Sequence, residues 1–313
     1  MMEHYVTLFD SLFLPQGMAL HASLERHAGS YTLWVLCIDD AAFQALQKLA
    51  LPNMRLLAVD DVLTDDLRRV QPTRSRAEWC WTLTPFTPRF VFDAEPTARR
   101  VTYLDADVWL ARSPQPVFEE FEASGKAVQI TEHAYSPDYD QSDTSGRFCV
   151  QFMTFERCGG EPVRSWWAER CIEWCFARFE DGKFGDQKYL DDWPNRFGEV
   201  VHVLQDRSLM QGPWNATRFP PSEAVAYHFH GLRTLCKQRV LLTRGYRLPR
   251  ATIAQLYRPY GIDLRNSHGR LSAVGLIPIP QVCASLPLLF WRQTKDRLRI
   301  WLYGLFPQLF MQL

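Results

Sequence analysis

Apolar residues in the first hundred positions come in short unbroken blocks rather than in strict alternation with polar ones. "HYVTLF" (His4 to Phe9), "YTLWVLCIDD", "MRLLAVD" and "VTYLDADVWL" are such blocks. A strand buried on both faces reads this way, because successive side chains point to opposite sides and both sides must be apolar. Between the blocks lie helix-favouring stretches, one after a loop at Pro15 and Gly17 and one in "AAFQALQKLA". This succession predicts an α/β unit on a mostly parallel sheet covered by helices on both faces. Ligands of such sheets bind beyond the carboxyl ends of the strands, where Asp10 and the pair Asp105/Asp107 fall.

Further along, "SPDYDQSDTSGRF" reads as a loop and "FCVQFMTF" as a strand, and "PVRSWWAERCIEWCFARFEDGKFGDQKYLDDWP" reads as a long helical stretch. Trp166, Trp167, Trp174, Phe176 and Phe179 in that stretch are dense enough to be read as core packing rather than a recognition stripe. No internal repeat or low-complexity tract appears. The composition turns basic and Pro-rich after "VAYHFHGLR", which places a boundary near residue 245.

Charge changes the picture at that boundary. The chain has 35 basic and 35 acidic residues; from Gly231 onward there are 13 Lys and Arg against Asp263 and Asp296, leaving 22 basic and 33 acidic residues before it. A basic end on a neutral protein calls for an anionic partner. The tail "SLPLLFWRQTKDRLRIWLYGLFPQLFMQL" mixes Trp291, Trp301 and Tyr303 with Arg292, Lys295, Arg297 and Arg299. That suits a helix lying in an anionic membrane interface; the other reading is a helix packed on the domain or on a second subunit. Without a nucleic-acid reader motif, nucleic acid is not the expected partner. The start "MMEHYVTLFD" lacks a basic n-region and an apolar h-region, and no run of about 18 apolar residues occurs. The expected location is cytoplasmic, peripheral on the inner face of the membrane. Eight cysteines without a CxxC pair favour buried thiols over disulfides or zinc.

Candidate chemistry centres on "LDADVW". On an extended strand Asp105 and Asp107 would share a side, about 7 Å apart at Cα, with Ala106 facing away. Two carboxylates so close disfavour each other's charge, and a divalent cation is the usual remedy. Capping of the turn into "ARSP" is the plainer reading. A haloacid-dehalogenase-type phosphatase also uses D-x-D after an apolar strand. Here the fifth position is Trp109 rather than Thr or Val, and the motif does not follow the first strand.

Several separated stretches together resemble the GT-A fold glycosyltransferases of the glycosyltransferase family 8 and glycogenin-like type, and more closely a group of uncharacterised bacterial proteins of that sort. They are "YVTLFDSLFLPQGMALHASL", "EWCWTLTPF", "VTYLDADVWL", "DGKFGDQKYLDDWP", "GPWN" and "HFHG", in that order over roughly residues 4 to 237. The resemblance implies a single Rossmann-like GT-A catalytic domain over residues 1–245, with a nucleotide-binding half to about residue 110. A sugar and acceptor half follows over 111–245, then a basic, aromatic helical extension over 246–313. It implies Mn²⁺ or Mg²⁺ held by Asp105, Asp107 and His228, with His230 as the alternate ligand. Thr7, Phe9 and Asp10 would lie at the base and ribose, Ala106 between the aspartates at the donor, Asp186 at the sugar hydroxyls and Gln187 beneath the anomeric carbon. It further implies a nucleotide-sugar donor, with UDP favoured, and retention by front-face attack in which the leaving diphosphate helps deprotonate the acceptor. A glycan or lipid-linked acceptor in surface polysaccharide or lipopolysaccharide synthesis completes the expectation. Asp186 also suits a helix N-cap.

Two departures stand out. Family members carry a Lys after the Gly of "HFHG", where this chain has Thr234, so Arg233 becomes the expected phosphate contact, with Lys237 further off. Where the donor sugar is normally read by Asn and Gly, this chain has Cys149 and Gln151, so a nucleotide- or glycan-binding protein with weak catalysis is the second reading. Asn215 is read either as lining the acceptor side or as fixing a turn.

Overall fold

The computed structural model describes residues 2–235, 239–282 and 310–312. Its strands are β1 Glu3–Phe9, β2 Tyr31–Cys37, β3 Met54–Ala58, β4 Arg100–Leu104, β5 Val108–Leu110, β6 Val128–Glu132, β7 Phe148–Glu156, β8 Val201–Val203, β9 Met210–Gln211, β10 Ala226–His228, β11 Arg233–Leu235, β12 Arg239–Leu241 and β13 Phe310–Gln312. Seven of them form a central sheet in the order β3-β2-β1-β4-β7-β6-β8, and β7 is antiparallel to both its neighbours while the remaining pairs are parallel. All of β1 is buried, because Val6 and Leu8 pack into one apolar layer with Trp34, Val91 and Phe155, while Tyr5 and Phe9 pack into the other with Leu14, Met18 and Leu24. The blocks that form β1, β2 and β4 are therefore buried strands with helices on both faces, as expected, whereas β3 at the sheet edge is only half-buried.

Helix starts at the carboxyl edge are built from side-chain caps. Asp10 accepts from Leu12 N at 2.9 Å before the helix Leu14–His27, whose first turn holds Pro15 and whose last holds Arg26 and His27. Asp39 caps the helix Asp40–Leu49 through Ala42 N, and Ser75 with Glu78 forms a capping box on the helix Arg76–Leu83. Asp10 and Asp39 follow β1 and β2 on the ligand side, and Arg76 beside Ser75 pairs with both.

Two sequence expectations are corrected. The chain does not run extended through the D-x-D: it leaves the sheet after Leu104, Val108 N donates to Asp105 O at 3.0 Å to close a turn, and β5 pairs with β10 instead. That pairing aligns Val108 with His228, which the central sheet does not contain, and so turns the aspartates toward the histidine. The long helical stretch is also broken. Its helix ends at Glu173 with Trp174 extended, and Asp181, Gly182 and Gly185 adopt positive φ before a 3-10 turn at Gln187–Asp192. Trp167 is fully buried as core, Trp166, Trp174 and Phe176 are half-buried, and Phe179 is 52% exposed. Of the cysteines, Cys37, Cys149, Cys171 and Cys175 are buried thiols, Cys80 is half-buried and Cys158 is exposed.

Beyond β12, the helix Arg258–Ala273 packs on the helix Leu14–His27. Buried Asp263 on it accepts from Arg26 Nη2 at 2.5 Å and Trp109 Nε1 at 2.7 Å, and Tyr257, Tyr260 and Leu264 join Tyr227 and Phe229 in an apolar cluster. The basic, aromatic tail from Ser285 lies outside the described residues apart from the strand Phe310–Gln312, as does Lys237. Among the described residues no helix is long and apolar enough to cross a membrane.

Candidate active site

A cavity of about 660 Å³ opens at the carboxyl edge of the central sheet, a size that suits a ligand of nucleotide-sugar dimensions. It runs across the strand order. Phe9 ends β1 and Asp10 follows it at one end, Asp105, Ala106 and Asp107 follow β4 in the middle, and Cys149 of β7 with His133 and Tyr135 just after β6 stand at the other end. His228, His230 and Arg233 close it from the β10–β11 side, and Asp186 with Gln187 from the 3-10 turn. The structure thus brings together Phe9, Asp10, Asp105, Ala106, Asp107, Asp186, Gln187, His228, His230 and Arg233. Thr7 is the exception: it lies fully buried in β1 and does not line the cavity.

In the middle, His228 lies between the two aspartates. Its Nε2 is 3.0 Å from Asp107 Oδ1 and its Nδ1 is 3.8 Å from Asp105 Oδ2. Burial opposes charge on His228, but Asp107 and then Asp105 outweigh it and hold the imidazolium well above the usual histidine range. Asp107 would be raised by burial, yet the charge and hydrogen bond of His228 bring it to about 2. Asp105 behaves oppositely: burial raises it, His228 fails to cancel that, and the neighbouring Asp107 adds to it. Tyr103, near the end of β4, donates its hydroxyl to Asp105 Oδ1 at 2.8 Å.

Among the described residues no three His, Cys, Asp or Glu side chains form a ready-made ion cage. The donor chemistry nevertheless fits a divalent cation, with two carboxylates and an imidazole whose buried Nδ1 has no hydrogen-bond partner. An ion there would take over the charge that the imidazolium now supplies between the aspartates.

Asp186 occupies the N-cap position of the 3-10 turn, but its side chain makes no cap hydrogen bond, so capping does not explain it. Burial, then the nearby Asp105, pushes its carboxyl up to about 8, which favours the protonated form. Gln187 donates its amide Nε2 to Ser145 O at 2.7 Å, tying the turn to the loop before β7. Arg233 lines the cavity half-buried, with Nη1 on Leu232 O at 2.7 Å, whereas Thr234 is buried and binds Gln281 through its backbone. Asn215 is fully buried, accepts from Gly212 N at 2.9 Å and donates to His133 O at 2.9 Å, so it fixes a turn. Cys149 lines the cavity; Gln151 is buried behind the wall, with both amide atoms unpartnered.

Sequence reasoning missed several lining residues. Arg76, at the start of its helix, forms an ion pair with Asp10 and another with Asp39, the latter at 2.6 Å, and so ties the ends of β1 and β2 together. Trp81 and Phe184 pack 6.2 Å apart at their ring centroids. His133, Tyr135, Trp214 and Tyr246 make an aromatic wall, in which burial brings His133 down to about 3 and so keeps it neutral. Tyr103 had a usable signal in its i−2 spacing from Asp105, and Trp81, Phe184 and Trp214 lie inside "EWCWTLTPF", "DGKFGDQKYLDDWP" and "GPWN"; Arg76, His133, Tyr135 and Tyr246 come from segments without a motif.

No family model matches the sequence. "Uncharacterized protein YfnF" of Bacillus subtilis (strain 168) is 29% identical over 252 residues, covering 74% of this chain and 82% of its own. "Uncharacterized protein YfnD" of the same organism is 25% identical over 278 residues, covering 84% and 88%. Among solved structures, the galactosyltransferase LgtC in complex with donor and acceptor sugar analogs superposes with a TM-score of 0.50 at 13% identity, over 84% of this chain and 95% of that one. The apo-form glycosyltransferase GlyE of Streptococcus pneumoniae TIGR4 gives 0.51 at 15% identity, over 85% and 63%. At such identities the likeness is one of fold: this chain has the mixed α/β architecture of the GT-A glycosyltransferases.

Proposed function

We propose that the chain is a metal-dependent glycosyltransferase that moves a sugar from a UDP-linked donor to a glycan or lipid-linked acceptor in surface polysaccharide or lipopolysaccharide synthesis, with retention of configuration. The observation that carries this reading is the convergence of Asp105, Asp107 and His228 beside Asp186 in one cavity at the carboxyl edge of a GT-A sheet. Phe9 and Asp10 take the base and ribose end, and Arg233 forks onto the phosphate oxygens. Asp105, Asp107 and His228 hold Mn²⁺ or Mg²⁺, which when bound supplies neutralisation of the leaving diphosphate. Asp186, its carboxyl raised by burial and by Asp105, hydrogen-bonds a sugar hydroxyl and orients the ring. Gln187 packs beneath the anomeric carbon, and its amide, held by Ser145 O, is a poor nucleophile. The basic tail would hold the protein on the inner face of an anionic membrane.

A nucleotide- or glycan-binding protein with weak catalysis is the second reading, favoured by Gln151 lying behind the cavity wall instead of in it. A thermal-shift screen of UDP-, GDP- and CDP-sugars with and without Mn²⁺ tests the first. The expected outcome is a rise in Tm of several degrees with a UDP-sugar that needs the metal, followed by turnover. A metal-independent shift, or a shift without turnover on any donor, favours the second reading.

A further inference from the structure

The end of the cavity farthest from Asp10 is walled by aromatic rings. His133 stacks on Tyr135 with centroids 4.6 Å apart, and Trp214 meets His133 at 5.0 Å and His230 at 5.8 Å, both edge-on. Ala134 between the first two has φ +48, a conformation that a non-glycine residue rarely adopts and that is often found at binding sites. Tyr246 continues the wall, 6.4 Å from His230 and 5.1 Å from Tyr139.

Two loops meet here and hold each other. Gln141 Nε2 donates to the Tyr246 hydroxyl at 3.3 Å, and Arg247 N donates to the Tyr139 hydroxyl at 2.8 Å. Trp214 and Tyr135 are buried, but Tyr246 is half-buried and His230 exposed, so these two residues are within reach of an incoming molecule. Arg233 is the only Arg, Lys, Asp or Glu lining this end among the described residues beyond Asp105, Asp107 and Asp186. Hydrogen-bonding groups are present in Gln141 and Ser145.

The chemistry that matches is a ring with one apolar C–H face, hydroxyls around its edge and no charge of its own, which is a neutral pyranose. We infer that Tyr246, with His230 beside it and Gln141 at its edge, is the platform that receives the acceptor sugar. This rests on the glycosyltransferase reading and adds to it that the acceptor presents an uncharged pyranose, not a phosphate or an amino-acid side chain, at the reacting end. The platform lies across the aspartates from Asp10, so acceptor and nucleotide would meet over Asp105 and Asp107.

Ligand-observed saturation-transfer NMR tests it, with methyl α-D-glucopyranoside, methyl β-D-galactopyranoside and N-acetylglucosamine as probes and UDP titrated separately. The expected result is binding of at least one probe with saturation concentrated on the C–H protons of one ring face. Tyr246→Leu should weaken that binding about fivefold, and Tyr246→Phe should keep it within about twofold, because stacking needs the ring and not the hydroxyl. No probe binding to wild type, or equal binding by wild type and Tyr246→Leu, overturns the platform. Joint loss of UDP and sugar binding in Tyr246→Leu also overturns it, since Tyr246 would then be supporting the fold. Sugar binding without any UDP binding by wild type leaves the platform standing and sinks the nucleotide-sugar reading instead.

Discussion

Asp107→Ala is expected to lower sugar transfer by about a thousandfold while the protein stays folded. Asp107 is the aspartate held most firmly in its charged form, with its carboxyl brought down to about 2 by the adjacent His228, 3.0 Å away. On the proposed reading its removal would take away the better of two hard oxygen ligands and leave Asp105 alone beside His228. A leaving diphosphate would then develop its charge without the group that neutralises it, and interactions made in the transition state are what catalysis depends on. UDP release from a UDP-sugar in the presence of Mn²⁺ measures this, with thermal unfolding as the control for folding. A loss smaller than about tenfold would mean that the D-x-D turn is structural.

Arg100→Met should have the largest effect on stability, a loss of about 3–5 kcal/mol, because it strands buried charge. Arg100 is 5% exposed at the start of β4, where its Nε and Nη2 bind the two oxygens of Glu3 at 2.8 and 2.6 Å and its Nη1 binds Glu122 at 2.7 Å. Met keeps most of the volume, but Glu3, itself 9% exposed, loses its fork-shaped partner. The double variant Glu3→Gln/Arg100→Met should recover a large part of the loss, because no buried unpaired charge then remains and Glu122, 52% exposed, stays solvated. Arg100 lies about 16 Å along the strand from Asp105, so UDP affinity of the folded fraction should not change. Urea unfolding of the wild type, the two single variants and the double variant measures the cycle; a loss under about 1 kcal/mol for Arg100→Met alone would show that water reaches Glu3.

How far the sequence could be read follows from where its signals sit. β1, β2 and β4 were legible because their two-sided burial leaves unbroken apolar blocks. The turn at Asp105 was not, since "VTYL" and "VWL" look continuous and only the pairing of β5 with β10, across more than a hundred residues, breaks them. The long aromatic stretch misled for a similar reason: its composition suits a helix, whereas Asp181, Gly182 and Gly185 require positive φ where the chain must turn back to the cavity. In the site, the aspartates, His228 and Asp186 stood out as short motifs. Thr7 was placed one step too shallow: it shares the strand face of Phe9 but sits about 7 Å deeper, between Tyr5 and Phe9, which pack on the helix Leu14–His27. Arg76, His133 and Tyr246 were invisible because each is isolated in sequence and meaningful only by what it faces.

The most direct test of the central claim is an anomalous difference map of crystals grown with UDP and Mn²⁺. One manganese peak within coordination distance of Asp105, Asp107 and His228, with the UDP diphosphate bridging it and the uracil at Asp10, is the predicted result. UDP bound elsewhere, or in this cavity with no manganese beside the two aspartates, would contradict it.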